Sequence, residues 1–479
     1  MQEQNTLWRR TKIVCTLGPS SSSEETMRQM LLAGMNVARL NFSHGTHESH
    51  GEMIARFRKV RDELKVPVAV MLDTKGPEIR IGMFEKPVEV EAGMPYTFCT
   101  EDVLGDCEHC YVNYAGLPSQ LKAGDTLLVD DGAISFRVDE TGENFIRCTA
   151  MNAGVLKSRK GVNVPGIVLD MPFLSEQDKR DLLFGIAQDV DYIAASFTRR
   201  ADDINQMRAF LKENGGENIL IIAKIENHEG VEKYEEIIEA ADGIMVARGD
   251  MGVEIPFEQL PGIQKMLIKA CYAQGKSVIT ATQMLDSMEE NPTPTRAEIS
   301  DVANAVFDGT SAVMLSGESA SGKYPVEAVK VMHRIVMQAE QDVRKSVISD
   351  FTARDNVTDN TNAVSAAACT LAEHIGATAI VADTYTGGAA RRISKFRPGT
   401  LILAATPFKK VYHQMAMIWG VFPLQTRASV DSVDVLFYLA TESAKSAGFV
   451  KAGDTMVMTA GIPLATKGST NMLKIEVVE

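Results

Sequence analysis

Residues 219–230 read ILIIAKIENHEG. An apolar run passes directly into Lys224 and Glu226, with Ile225 between them. Continuous apolar runs of this kind mark parallel strands covered on both faces. A cation and a carboxylate at the end of such a strand are costly to bury unless they are paired or bound to something. Side chains alternate along a strand, so Lys224 and Glu226 share one direction and Ile225 takes the other.

The same pattern recurs along the chain. Apolar runs stand at KIVCTLG (12–18), NVARLNF (36–42), VAVMLDT (68–74), DYIAASF (191–197), ILIIAKIE (219–226), GIMVARGD (243–250), SVITATQ (277–283) and AVMLSGE (312–318). Helical stretches such as SEETMRQMLLAG (23–34) and SEQDKRDLLFGIAQ (175–188) lie between them, the second opening on a Ser175–Gln177 capping pattern. Strands alternating with helices predict an α/β protein built on a (β/α)8 TIM barrel.

One gap is too long for a single helix. Between the third and fourth runs, PVEVEAG (87–93), YTFCT (96–100), DTLLVDDGAISFRVDE (125–140) and NFIRCTA (144–150) alternate at period two, with DDG (130–132) as a tight turn. Residues 75–171 therefore read as an all-β domain inserted into a barrel made of 1–74 and 172–345. An insertion at that βα loop sits over the C-terminal mouth, where barrel enzymes keep their active sites, so a lid is expected. The polar stretch ISDFTARDNVTDNTN (348–362) reads as a linker. Beyond it, helical segments at 363–376, 387–396, 408–418 and 432–448 and strands at 378–384, 401–406, 454–460 and 473–479 predict a separate α/β domain over 346–479. The chain ends on that last strand, so no further C-terminal domain is expected.

Composition excludes several classes. The chain has 479 residues and a net charge of −14, which argues against nucleic-acid binding. No run reaches the length of a membrane span, and the N-terminus lacks a signal-peptide pattern, so a cytoplasmic protein is expected. Seven cysteines are scattered without a disulfide framework. The one close pair, Cys107 and Cys110, reads as free thiols on a loop. His44, His47 and His50 are spaced by three, which drifts around a helix instead of converging on a metal; His44 alone stands at the rim.

The strand ends carry the chemistry. Asp250 is placed beside Glu226 at the same rim, and two carboxylates next to a lysine suit a divalent cation. Taken alone, a buried salt bridge of Lys224 explains the same residues. The other ends decide: Arg39, Asn41 and Ser43; Asp73, Thr74, Lys75, Glu78 and Arg80; Thr280 and Thr282; Ser316 and Glu318. Polar side chains gathered at the ends of apolar strands point to metal-assisted chemistry on a small phosphorylated acid. In the third domain TYTGGAA (384–390) joins strand to helix, with Arg391 and Arg392 one turn on. It reads either as an anion nest or as an ordinary βα turn.

TKIVCTLGPSS, MNVARLNFSHG, LDTKGPEIR, IIAKIENHEG, MVARGDMGVEIP, ITATQMLDSM and NPTPTRAE followed by DVANAVFDGT and AVMLSGE resemble the pyruvate kinase family, in the family's order, from about residue 10 to the C-terminus. The resemblance implies transfer of the phosphoryl group of phosphoenolpyruvate to ADP, in a cytoplasmic homotetramer of barrel, lid and regulatory domains. It assigns Glu226 and Asp250 to Mg2+ or Mn2+, and Asn41, Ser43, Asp73 and Thr74 to K+. Lys224 and Arg39 would stabilise the phosphoryl group, the Gly249 and Asp250 amides and Thr282 would bind the substrate carboxylate, and Thr282 and Ser316 would serve enolate protonation. Arg80, His44, Asn41 and Arg200 match nucleotide-contacting positions. In this family a glutamate at the position of Glu78 goes with K+ dependence. Thr384, Thr386, Gly387 and Gly388, with the 461–471 segment, match an effector pocket; fructose bisphosphate, a monophosphate or a nucleotide all remain open. Met251, Ser311 and Ser321 depart from the usual pattern. Two other classes compete: a barrel aldolase or lyase acting on enolates, which would not need the lid, Arg39 or the K+ cluster, and a non-catalytic effector sensor, which would not need Lys224, Glu226 and Asp250.

Overall fold

A computed structural model describes residues 8–343, 359–427, 430, 432–464 and 470–479. The 345–346 boundary, the linker up to 358 and part of the 461–471 segment lie outside the described residues. The eight apolar runs form a closed parallel barrel: β1 (Lys12–Thr16), β2 (Val37–Asn41), β3 (Ala69–Asp73), β4 (Tyr192–Ala195), β5 (Leu220–Ile225), β6 (Gly243–Ala247), β7 (Ser277–Ala281) and β8 (Ala312–Leu315). Each strand pairs with its sequence neighbour, and β8 closes on β1. Alternation sorts the side chains. Val14, Met71, Tyr192, Ile222, Met245, Ile279 and Met314 fill the interior, while Ile13, Val70, Ile193, Ala223 and Val246 pack outward on the helices. Helices start on local caps; that at Glu176–Ala187 opens with Ser175, whose capping box closes on Asp178, not on Gln177 as the sequence suggested.

The strands are shorter than read, and several residues expected on strand ends stand elsewhere. Ser43 follows the end of β2 in a turn whose amide is held by Asn41 Oδ1 at 3.1 Å. The run toward Asp250 leaves β6 at Ala247 and enters a short helix, Arg248–Glu254. Asp250 therefore stands in a first helical turn.

The inserted stretch folds as a seven-stranded sheet, in the order Ile79–Arg80, Gly161–Asn163, Thr126–Val129, Ile134–Thr141, Phe145–Ala150, Pro95–Cys99 and His109–Tyr111, with a two-stranded pair beside it. It has its own core around Tyr96, Phe98 and Phe136. The DDG turn links strands that pair Val129 with Ile134, and all three of its residues have positive φ, which favours Asp and Gly there. Its tip reaches the barrel rim: a Cβ on Gly132 would lie 3.8 Å from Val253, and Asn163 Nδ2 donates to Glu254 Oε1 at 2.9 Å.

The C-terminal part is a five-stranded sheet with strands β9 (Ala379–Asp383), β10 (Leu401–Thr406), β11 (Val421–Gln425), β12 (Thr455–Gly461) and β13 (Thr470–Val477), in the order β11-β10-β9-β12-β13. The sequence reading omitted β11 because it carries Pro423; it is an edge strand, where proline removes no ladder bond that is needed. This domain plugs the N-terminal end of the barrel. Met417 enters the barrel interior core, Tyr192 Oη donates to Gln414 O at 2.5 Å, and Lys12 Nζ donates to Val421 O at 2.7 Å. Among the described residues no helix is long and apolar enough to cross a membrane.

Candidate active site

The barrel mouth gathers charge from β2, β3 and β5. Arg39, Asp73 and Lys224 have the inward parity of their strands and are buried. Arg39 Nε donates to Asp73 Oδ2 at 2.6 Å, and Arg39 Nη1 to Thr16 Oγ1 at 2.8 Å. Lys224 Nζ lies 2.7 Å from Glu226 Oε1, 3.2 Å from Asp73 Oδ1 and 2.8 Å from Ser196 Oγ. Glu226 Oε2 accepts the Phe197 amide at 2.6 Å. Its Oε1 is buried and has Lys224 as its partner. Phe197 has φ +54°, a strained conformation of the kind found at functional sites.

The electrostatics follow from an unequal count. Asp73, Glu226 and Asp250 face the two cations Arg39 and Lys224. Burial raises Asp73, but Arg39 and Lys224 outweigh it and hold this carboxyl below the usual range. Burial works against the Lys224 charge, yet Asp73, Glu226 and Asp250 together keep the ammonium above the ordinary lysine range. Glu226 shares Lys224 with Asp73 and feels Asp250; burial pushes it up to about 8. Three carboxylates facing two cations leave the site short of one positive charge, and the neighbouring carboxylates Glu226 and Asp250 have the donor chemistry of a divalent-cation site. Among the described residues no group of three or more His, Cys, Asp and Glu side chains forms a metal cage.

Thr282 reaches the rim by a route the alternation rule cannot give. Ile279 and Ala281 face the barrel interior, so Thr280 and Thr282 should both face out. Thr280 does, bonding Thr310 Oγ1 at 3.0 Å, and it is no part of the mouth. Thr282 has φ +68°, and its hydroxyl accepts the Gly249 amide at 2.8 Å. Arg248 locks the pair: Nη2 donates to Thr282 O at 2.5 Å, and Nη1 grips both oxygens of Asp301 at 2.8 Å. Sequence reasoning missed Arg248 and Ser196. Ser196 has the same inward parity as Ala194, so the rule that found Lys224 applied to it also. Glu318 is a clamp on the backbone, not a mouth residue: its carboxylate accepts Leu285 N at 3.0 Å and Ser316 N at 2.7 Å. Ser316 is half-buried just past β8.

A cleft lies under the inserted domain, and Arg80, Arg200, Asn41, His44 and Thr74 are not among its lining residues. Glu78, Asp131, Asn163, Phe197, Asp250 and Glu254 are among its lining residues. Arg80 is held by both oxygens of Glu78 at 2.7 and 2.8 Å. Arg200 Nε stands 3.6 Å from Glu229. Asn41 and Asp73 are cross-strand partners, and Thr74 Oγ1 donates to Ala194 O at 3.2 Å. His44 is exposed; His50 Nε2 meets its carbonyl at 2.7 Å, while His47 turns to Asp181 at 2.6 Å, so the three rings diverge. In the C-terminal domain Thr384 is buried, Thr386 exposed, and Gly387 (φ +80°) caps the helix Gly388–Lys395.

A (β/α)8 barrel with buried lysine, arginine and carboxylates at its mouth, under an inserted β-domain, defines an enzyme that handles an anionic substrate. Family models extend this. The pyruvate kinase barrel domain matches residues 8–329, and the pyruvate kinase alpha/beta domain matches residues 362–476. Pyruvate kinase of Clostridium acetobutylicum is 48% identical over 472 residues, covering 98% of this chain and 100% of that protein. The pyruvate kinase of Geobacillus stearothermophilus is 48% identical and that of Staphylococcus haemolyticus 47%, each covering 98% of this chain and 80% of the relative. The chain belongs to the pyruvate kinase family and is an enzyme of that phosphotransferase class.

Proposed function

We propose that the mouth residues transfer the phosphoryl group of phosphoenolpyruvate to ADP, giving ATP and the enolate of pyruvate, which is then protonated at carbon. The observation that carries this reading is Lys224 between Asp73, Glu226 and Ser196, with Arg39 on the far side of Asp73. Two fixed cations at one rim suit a phosphoryl group whose charge spreads over its peripheral oxygens as the bond to the enol oxygen breaks and that to ADP forms. Lys224 and Arg39 would bind those oxygens without reorganising. The first amides of the Arg248–Glu254 helix, at Gly249 and Asp250, with Thr282, would orient the substrate carboxylate. Thr282 and Ser316 would supply the hydroxyls that relay a proton to the enolate carbon. This leaves Lys224 as phosphoryl stabiliser, not proton donor.

Glu226 and Asp250 would hold Mg2+ or Mn2+, whose bound charge neutralises the carboxylate and enolate oxygens of the substrate. Asn41, Ser43, Asp73 and Thr74 would hold K+, supported by the pairing of Asn41 with Asp73 across β2 and β3. Arg80, His44, Asn41 and Arg200 would contact the nucleotide, with residues 75–171 closing as a lid on the barrel segments 1–74 and 172–345. Residues 346–479 form the regulatory domain in this reading. A sugar-phosphate or nucleotide effector would bind at Thr384, Thr386, Gly387 and Gly388, supported by the positive φ of Gly387 at a helix start. A homotetramer is supported by the free edge strand β13, with Ile475 and Val477 half exposed, and by Phe257, 80% exposed. Soluble substrates support a cytoplasmic location.

A coupled assay of pyruvate formation tests the reaction. Pyruvate must appear from phosphoenolpyruvate only when ADP is present. Formation without ADP would favour a lyase, and none with ADP a sensor.

A further inference from the structure

The mouth uses the C-terminal ends of the strands. A second concentration of charge lies at their opposite ends. There the helix Gly388–Lys395 faces the barrel across a cavity of about 540 Å³, the size of a small-molecule site. Gly388, Arg391, Arg392 and Lys395 line it and recur at helical spacing, so they form one face. The barrel contributes Arg208, from the helix Ala201–Glu213, and Lys276, just before β7. These cations meet two carboxylates, Glu239 and Asp242, in a chain of net charge −14.

The carboxylates do not use up this charge. Asp242 Oδ2 is already engaged by Arg208 Nη2 at 3.1 Å and Ile221 N at 2.9 Å. Lys276 Nζ points at backbone carbonyls of Ile238, Glu239 and Ala241, at 2.5, 2.6 and 2.8 Å. Among the described residues, the guanidinium groups of Arg391 and Arg392 have no hydrogen bond or ion pair. Both fold back toward the start of their helix: a Cβ on Gly387 would lie 3.9 Å from Arg391 Nη2, and one on Gly388 3.6 Å from Arg392 Nη1. Asp359 feels the charge of Arg392 without an ion pair to it, and a bound anion would offset the positive charge left on this face.

We propose that this cavity between barrel and C-terminal domain binds a compact phosphorylated metabolite carrying at least two negative charges, through hydrogen bonds from Arg391 and Arg392, with Arg208 and Lys276 opposite contributing charge only. The site goes beyond the effector turn described above, with which it shares only Gly388. Asp242 and Lys276 immediately precede β6 and β7, whose far ends lead to Gly249, Asp250 and Thr282. Occupancy therefore shifts the saturation curve for phosphoenolpyruvate.

The test is titration calorimetry of the full chain with inorganic pyrophosphate in buffer free of divalent cations. Wild type binds. Arg391→Ala binds roughly ten- to a hundredfold more weakly, as expected for losing charge-assisted hydrogen bonds, and Arg391→Lys recovers part of the loss. Arg392→Ala serves in parallel if Arg391→Ala folds poorly, judged by its unaltered turnover without added phosphate. Thr386→Val and Lys224→Met bind as wild type. Unchanged affinity in both arginine variants, or no binding to wild type at millimolar pyrophosphate, overturns the proposal. Loss confined to Thr386→Val would place the anion at the turn, overturning this site and leaving the effector reading intact. Loss confined to Lys224→Met would place it at the mouth and overturn it equally.

Discussion

Replacing Lys224 with methionine separates the two roles a lysine at this mouth could play. The volume is nearly conserved, so packing is kept and the charge is lost. A unit charge about 3 Å from a phosphoryl oxygen is worth about 5 kcal/mol at an effective dielectric near 20. Cationic groups at a phosphoryl group in flight contribute about 10³–10⁵ in rate, or about 4–7 kcal/mol, which agrees. We expect kcat to fall by that factor. Stability falls less than the roughly 3–5 kcal/mol of a broken buried pair, because both carboxylates keep partners. Asp73 retains Arg39 at 2.6 Å, and Glu226 retains the Phe197 amide at 2.6 Å. We expect a loss of about 1–3 kcal/mol by urea unfolding. The assay has two arms: coupled pyruvate formation, and exchange of the methyl protons of pyruvate with deuterated solvent followed by NMR. Exchange should persist in the variant, since protonation at carbon does not pass through Lys224. Turnover within tenfold of wild type in a folded variant would refute the phosphoryl role. Loss of exchange in parallel with turnover would refute its separation from proton transfer.

Glu78→Lys should remove the K+ requirement in coupled assays in buffer free of Na+ and K+, and raise the KM for ADP, because Arg80 loses its two-oxygen grip at 2.7 and 2.8 Å. Asp383 has an unpaired buried oxygen, and burial pushes its carboxyl up to about 7. A raised carboxyl favours the fold below its unfolded pKa, and the contribution is lost as pH rises through about 7. Asp383→Asn should therefore raise Tm relative to wild type at pH 8 and lose that advantage by pH 4. Thr282→Ala should lower kcat/KM for phosphoenolpyruvate about tenfold or more, since the Gly249 amide loses its 2.8 Å partner; an unchanged saturation curve would remove Thr282 from substrate orientation. Ile475→Lys on β13 should shift sedimentation from a four-subunit mass to smaller species; an unchanged mass would show that this edge is not an interface.

Much of this was legible locally. Eight apolar runs announced parallel strands because strands covered on both faces leave no room for polar alternation. The same-face parity of Lys224 and Glu226, and the inward direction of Arg39 and Asp73, needed only the two-residue period. The reading failed where the backbone leaves that period. Asp250 belongs to a helix, not a strand end. Thr280 faces out, and Glu318 clamps loops. β11 was missed because Pro423 breaks the apolar signal.

By itself, then, the sequence determined the strands, the inserted β-domain's place in the chain and which side chains point inward, since these depend on neighbours along the chain. Only the tertiary structure decided that Asp73 sits between Arg39 and Lys224, that a left-handed backbone carries Thr282 to the Gly249 amide, and that Met417 plugs the barrel floor. Those contacts join residues far apart in sequence, and barrel closure and domain docking bring them together. No local pattern encodes a distance that exists only once the sheet has closed on itself.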